Sequence, residues 1–170
     1  MKTPCQVESD QKKVVVSVRD VAGEMQLLNY ETNGFLNKRT GELFAFSDDA
    51  LTRAEDDADM TDSPEWEQEM IKQAKEAISS DDYIPLPTAF EINDYHIMEE
   101  FCYTVQNEKV RDKLLNAISG RGAFRRFKDA VHLLDIEHDW FRFQEEEYEK
   151  IAIEWLEENG IAYTRNVKNV

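Results

Sequence analysis

A chain of 170 residues with 36 acidic and 20 basic side chains carries a formal net charge of -16, and this length suffices for one domain with its own core and no covalent staples. The excess of acid argues against adhesion to nucleic acid or anionic membrane through the surface as a whole. Cys5 and Cys102 are too far apart in sequence to suggest a disulfide framework, no apolar leader follows Met1-Lys2-Thr3-Pro4, and no run approaches a membrane span; the expectation is a cytoplasmic protein without a membrane segment.

The first 13 residues are polar and unpatterned and read as a tail. A single domain is expected over 14–163, with 164–170 as a second tail. Val14-Val15-Val16 suggests a short strand. Ser17 then offers an N-cap, with Asp20 three residues on, to a helix whose apolar face is Val18, Val21, Met25 and Leu28. Two apolar arms, Phe35-Leu36 and Leu43-Phe44-Ala45-Phe46, flank a polar turn containing Thr40-Gly41, the clearest hairpin pattern in the chain. Ser47 or Asp48 caps a short helix that runs into the acidic tract 55–62, read as a solvated loop.

Ser63-Pro64 marks the next helix start, with Ser63 as N-cap and Trp66, Met70, Ala74, Ala77 and Ile78 as the expected buried face. The prolines of Tyr83-Ile84-Pro85-Leu86-Pro87 confine that segment to a sheet edge or covering loop. Asn93 or Asp94 caps a helix facing inward through Ile97, Met98, Phe101, Cys102 and Val105. Asn107 caps the following one, with Val110, Leu114, Leu115 and Ile118 inward. Trp140-Phe141-Arg142-Phe143 alternates as a short strand would. A final helix begins near Glu145, buries Tyr148, Ile151, Ala152, Trp155 and Leu156, and stops at Asn159-Gly160 before a last edge strand, Ile161-Ala162-Tyr163. The expected fold class is therefore α+β: a mostly helical single domain with a β-hairpin and short edge strands.

Function concentrates on Ser119-Gly120-Arg121-Gly122-Ala123-Phe124-Arg125-Arg126-Phe127-Lys128. Residues 108–132 carry 7 basic and 3 acidic side chains, a net of +4, between an acidic block at 48–82 (13 acidic, 3 basic) and another at 135–158 (10 acidic, 2 basic). As a helix from about Ala123, the segment would bury Phe124, Phe127, Val131 and Leu134. Arg121, Arg125, Lys128 and His132 form a second stripe on its flank. The candidate anion- or partner-binding residues are thus Arg121, Arg125, Arg126, Lys128 and His132, because guanidinium forks and helix-start N–H groups both suit anions. The structural alternative pairs Arg125, Arg126 and Lys128 with the chain's own carboxylates, for example on the last helix.

No catalytic residues, metal site or cofactor are assigned. Gly-x-Gly here lacks the following Gly-Lys-Ser/Thr of a phosphate loop. His96 with Glu99 and Glu100, and Asp135 with His138, are isolated fragments of metal motifs. The tract 57–62 lacks the glycine and final glutamate of a calcium loop. The sequence therefore favours a non-catalytic binding or regulatory protein with a protein partner. Nucleic-acid involvement, by local phosphate binding or by acidic mimicry, is the first alternative and is not favoured by the net charge. An enzyme acting on a small anionic substrate near Asp129 or His132 is the second.

The hairpin Phe35-Leu36-Asn37-Lys38-Arg39-Thr40-Gly41-Glu42, the start Pro64-Glu65-Trp66, the segment Leu86-Pro87, Met98-Glu99-Glu100-Phe101, Gly120 to Asp129, and Ala152 to Ile161 together resemble the bacterial family UPF0158, over about Val14 to Tyr163. The resemblance implies a small cytoplasmic bacterial domain and supplies no activity. Asn37 stands where that family's hairpin is expected to carry aspartate.

Overall fold

The computed structural model describes residues 13–165; most of both expected tails, 1–12 with Cys5 and 166–170, lies outside the described residues. In chain order the elements are β1 (Val15–Ser17), α1 (Val18–Leu27), β2 (Thr32–Asn37), β3 (Leu43–Ser47), α2 (Asp48–Glu55), α3 (Glu65–Ser79) and β4 (Tyr83–Pro85), followed by α4 (Ala89–Ile92), α5 (Asp94–Thr104), α6 (Glu108–Ala117), α7 (Ala123–Leu133), α8 (Glu137–Glu158) and β5 (Ala162–Thr164). The fold is α+β and mostly helical.

Four of the expected caps form. Ser17 Oγ accepts the Asp20 N–H, Ser47 Oγ the Ala50 N–H, Asn93 Oδ1 the His96 N–H and Asn107 Oδ1 the Val110 N–H, each satisfying one of the donors a helix start leaves open. At the hairpin tip, Asn37 Oδ1 accepts the N–H groups of Arg39 at 2.9 Å and Thr40 at 3.2 Å. Aspartate would present the same acceptor, so the departure at Asn37 leaves the turn intact. Gly41 closes it at φ 77°. A Cβ there would also meet the Val14 side chain at 3.0 Å, so glycine is required twice over.

Two sheets result. β1 and β5 pair in parallel, tying the ends of the domain together, and β2 lies between antiparallel neighbours β3 and β4. Pro85 falls in the edge strand β4, where its missing N–H breaks no inner ladder. β2 pairs Phe35 with Phe44 and Leu36 with both Leu43 and Ile84. Side chains alternate across a strand, so Leu36, Leu43 and Ile84 enter a large core with α1, α5, α7 and α8. Phe35, Phe44, Phe46 and Tyr83 enter a smaller one with α2 and α3. In the large core Phe127 stands edge-on to Trp140, with ring centroids 4.8 Å apart, and to Phe101 at 6.1 Å.

Four expectations are corrected. Trp140–Phe143 is not a strand but the start of α8, which runs 22 residues from Glu137. Its buried Trp140, Tyr148, Ala152, Trp155 and Leu156 follow the helical period, which outweighs a four-residue alternation. In α3 the buried residues are Ile71, Ala74 and Ala77, whereas Trp66 is 68% and Ile78 38% exposed, because α2 approaches on the small side chains. Pro64, not Ser63, occupies the N-cap position of that helix, without a side-chain cap. In α7 the buried face is Ala123, Phe127 and Val131, and Phe124 is 43% exposed. The short helix α4 was not anticipated; Thr88 and Glu91 close a reciprocal capping box at its start.

Candidate functional site

The basic segment lies where α6 reverses into α7. Gly120 and Gly122 both take positive φ, 76° and 74°, a conformation that costs glycine nothing. Arg126 is committed to this corner. Its Nε donates to the Ala117 carbonyl at 2.9 Å, and its two terminal nitrogens donate to the Ser119 and Arg121 carbonyls. One guanidinium thereby satisfies carbonyls that the end of α6 would otherwise leave open. The sequence grouped Arg126 with the outward cations; structurally it holds the reversal in place.

Arg121, Arg125 and Lys128 are exposed and form no ion pair with any carboxylate among the described residues. The expected pairing of Arg125, Arg126 and Lys128 with the last helix is therefore absent there. His132 differs: its Nδ1 lies 2.7 Å from Glu137 Oε1, on an exposed surface. α7 begins on Gly122 without a side-chain cap and has no acidic residue in its first turn, so its open N–H groups add to the positive potential of the corner.

Lys128 also lines a cleft of about 460 Å³ between α7, α8 and α5. Phe124 and Phe141 line the same cleft and are 43% and 60% exposed. Among its lining residues, the Tyr148 hydroxyl donates to Asp94 Oδ1. Burial, reinforced by that carboxylate, pushes the phenol well above its usual range, so Tyr148 remains a neutral donor. Lys128 is the one lysine or arginine among the cleft's lining residues, beside the accessible rings of Phe124 and Phe141, and Asp94 and Glu137 share that lining.

The sequence located the cationic flank but not the cleft. The local alternation places Phe141 in a strand, and the helical spacing places Phe124 in the core, whereas both line the cleft. The spacing Glu137, Phe141, Gln144, Tyr148, which follows i, i+4, i+7, i+11, could have placed all four on one face of α8. Asp129 is exposed on α7 and takes part in no ion pair among the described residues. His96 lies 3.3 Å from Glu100 and 3.9 Å from Glu99, and among the described residues no group of three or more His, Cys, Asp or Glu is arranged to hold a metal. Burial raises the Cys102 thiol to about 11, which suits a core residue rather than a nucleophile. No helix among the described residues is long and apolar enough to cross a membrane.

The model of the uncharacterised protein family UPF0158 matches residues 33–167. UPF0158 protein PA5073 of Pseudomonas aeruginosa is 32% identical over 66 residues, 38% of this chain and 43% of that protein. The matched region thus spans less than half of the relative's length. No solved structure matches.

Proposed function

Because the chain belongs to the UPF0158 family, whose function is uncharacterised, we propose its role from the geometry: a non-catalytic binding or regulatory module of the bacterial cytoplasm. Its contact surface is the flank Arg121, Arg125, Lys128 and His132 with the aromatic rim Phe124 and Phe141. The ligand is an acidic segment of a partner protein that carries an apolar anchor. One observation supports this above others: in a chain with 36 acidic side chains, Arg121, Arg125 and Lys128 find no carboxylate among the described residues. They are exposed and stand in the stretch 108–132, whose 7 basic and 3 acidic side chains give it a net charge of +4.

The test is binding of a labelled peptide of glutamates around phenylalanine and leucine, with the triple variant Arg121→Ala/Arg125→Ala/Lys128→Ala as comparison. Affinity should fall about tenfold, the scale of losing several exposed charge contacts, with the thermal midpoint unchanged. Arg126→Ala should instead lower stability, by about 1–2 kcal/mol for charge-assisted hydrogen bonds. Equal binding by wild type and triple variant would sink the reading. Tighter binding of a single-stranded oligonucleotide, lost in the same variant, would assign the surface to phosphate.

A further inference from the structure

Further along α8 a second groove of about 790 Å³ runs between α4, α5 and the C-terminal half of α8. Its floor is apolar: Ile97 and Trp155 are buried at the base and Ile151 is partly buried. Its walls are acidic. Glu154 and Glu158 are exposed, in no ion pair and no side-chain hydrogen bond among the described residues, and Glu100 lies 3.3 Å from His96 and within electrostatic reach of Lys150. Lys150 is the sole lysine or arginine among the lining residues, and it is already bound to Glu147 at 2.5 Å.

We infer that this groove docks a cationic, apolar-anchored segment of a basic partner protein, a surface separate from the α7 flank. Two features select that occupant. Lysine or arginine side chains would supply counter-charges to Glu154 and Glu158, while an aliphatic side chain would cover the Ile151–Trp155 floor. The net charge of -16 also draws such a partner in from a distance. A small metal ion gains nothing from the apolar floor, and a second anionic copy of this chain is repelled.

The experiment titrates the full chain with a fluorescein-labelled peptide of alternating lysine and leucine residues, a lysine-glycine peptide of equal charge, and spermine. The lysine-leucine peptide should bind one-to-one, more tightly than the other two, and more weakly as salt rises. The variant Glu100→Gln/Glu154→Gln/Glu158→Gln should weaken it about tenfold, as expected for three exposed charges. Glu55→Gln/Asp56→Asn/Asp62→Asn, with the same change in net charge, should not. On wild type, bound peptide should slow amide exchange in α4, α5 and the second half of α8. Equal loss in the two triple variants, equal binding of spermine, or protection elsewhere would overturn the assignment. So would concentration-dependent self-association abolished equally by the Glu100/Glu154/Glu158 variant and by Arg121→Ala/Arg125→Ala, which would give the groove to α7 of another copy.

Discussion

The two faces of the sheet β3-β2-β4 are covered by cores built on opposite allocations of bulk. On the Leu36 face the helices bring the large side chains: Met25, Phe101, Leu114, Phe127, Trp140 and Leu156. On the Phe35 face the strands bring the rings, Phe35, Phe44, Phe46 and Tyr83, and the helices contribute mainly Ala50, Ala54, Ala74 and Ala77. Alanine rows let α2 and α3 lie close to each other and to the sheet, but each buries little apolar area. The large core therefore sets the stability of the domain, and the small one fixes where two acidic helices sit. The two proposed surfaces follow the same division, since both are built on elements surrounding the large core.

The greatest effect is expected from Phe127→Ala, since Phe127 is only 1% exposed and in contact with two further rings. It should cost about 3–5 kcal/mol, seen as a shift of the whole urea transition by circular dichroism and tryptophan fluorescence together. Ala74→Leu attacks the other side. Ala74 is fully buried among side chains chosen for smallness, and overpacking there should cost about 1–3 kcal/mol. Amide exchange should accelerate in α2 and α3 while α8 keeps its protection. Equal acceleration in α8 would show that the two cores open as one unit, and the division drawn between them would fall.

What the sequence made legible follows the same contrast. The hairpin, the caps at Ser17, Asn93 and Asn107, and the α1 face were readable because each rests on a local rule about turns or helix ends. The large core was readable wherever one helix repeats big apolar residues. The small core was legible only in part: Ala74 and Ala77 followed from the helical spacing, but small alanines mark the face weakly, and the bulk of Trp66 and Ile78 points to the solvent side. In α8 a local Trp-Phe-Arg-Phe alternation concealed a longer helical period. The cationic flank was legible as composition. Which cations face outward was not, because Arg126 turns inward only once Gly120 and Gly122 have set the corner and brought three carbonyls within its reach.

The smallest expected effect tests the small core by charge rather than by volume. Arg53 on α2 and Glu67 on α3 join these helices at 2.5 Å. The hydrogen bond from Arg53, with a further one involving Ser63, holds the Glu67 carboxyl below its usual range. A carboxyl depressed in the folded state adds stability at pH values above its unfolded value and loses it as the pH falls through the folded one. The urea midpoints of wild type and Glu67→Gln should therefore differ most near neutrality and converge below about pH 4, around and under the ordinary carboxylate range. Since partly exposed pairs contribute little, the difference should be small beside that of Ala74→Leu. A gap unchanged between neutral and acidic pH would mean that the Glu67 charge does not contribute, leaving the alanine contacts as what holds α2 to α3.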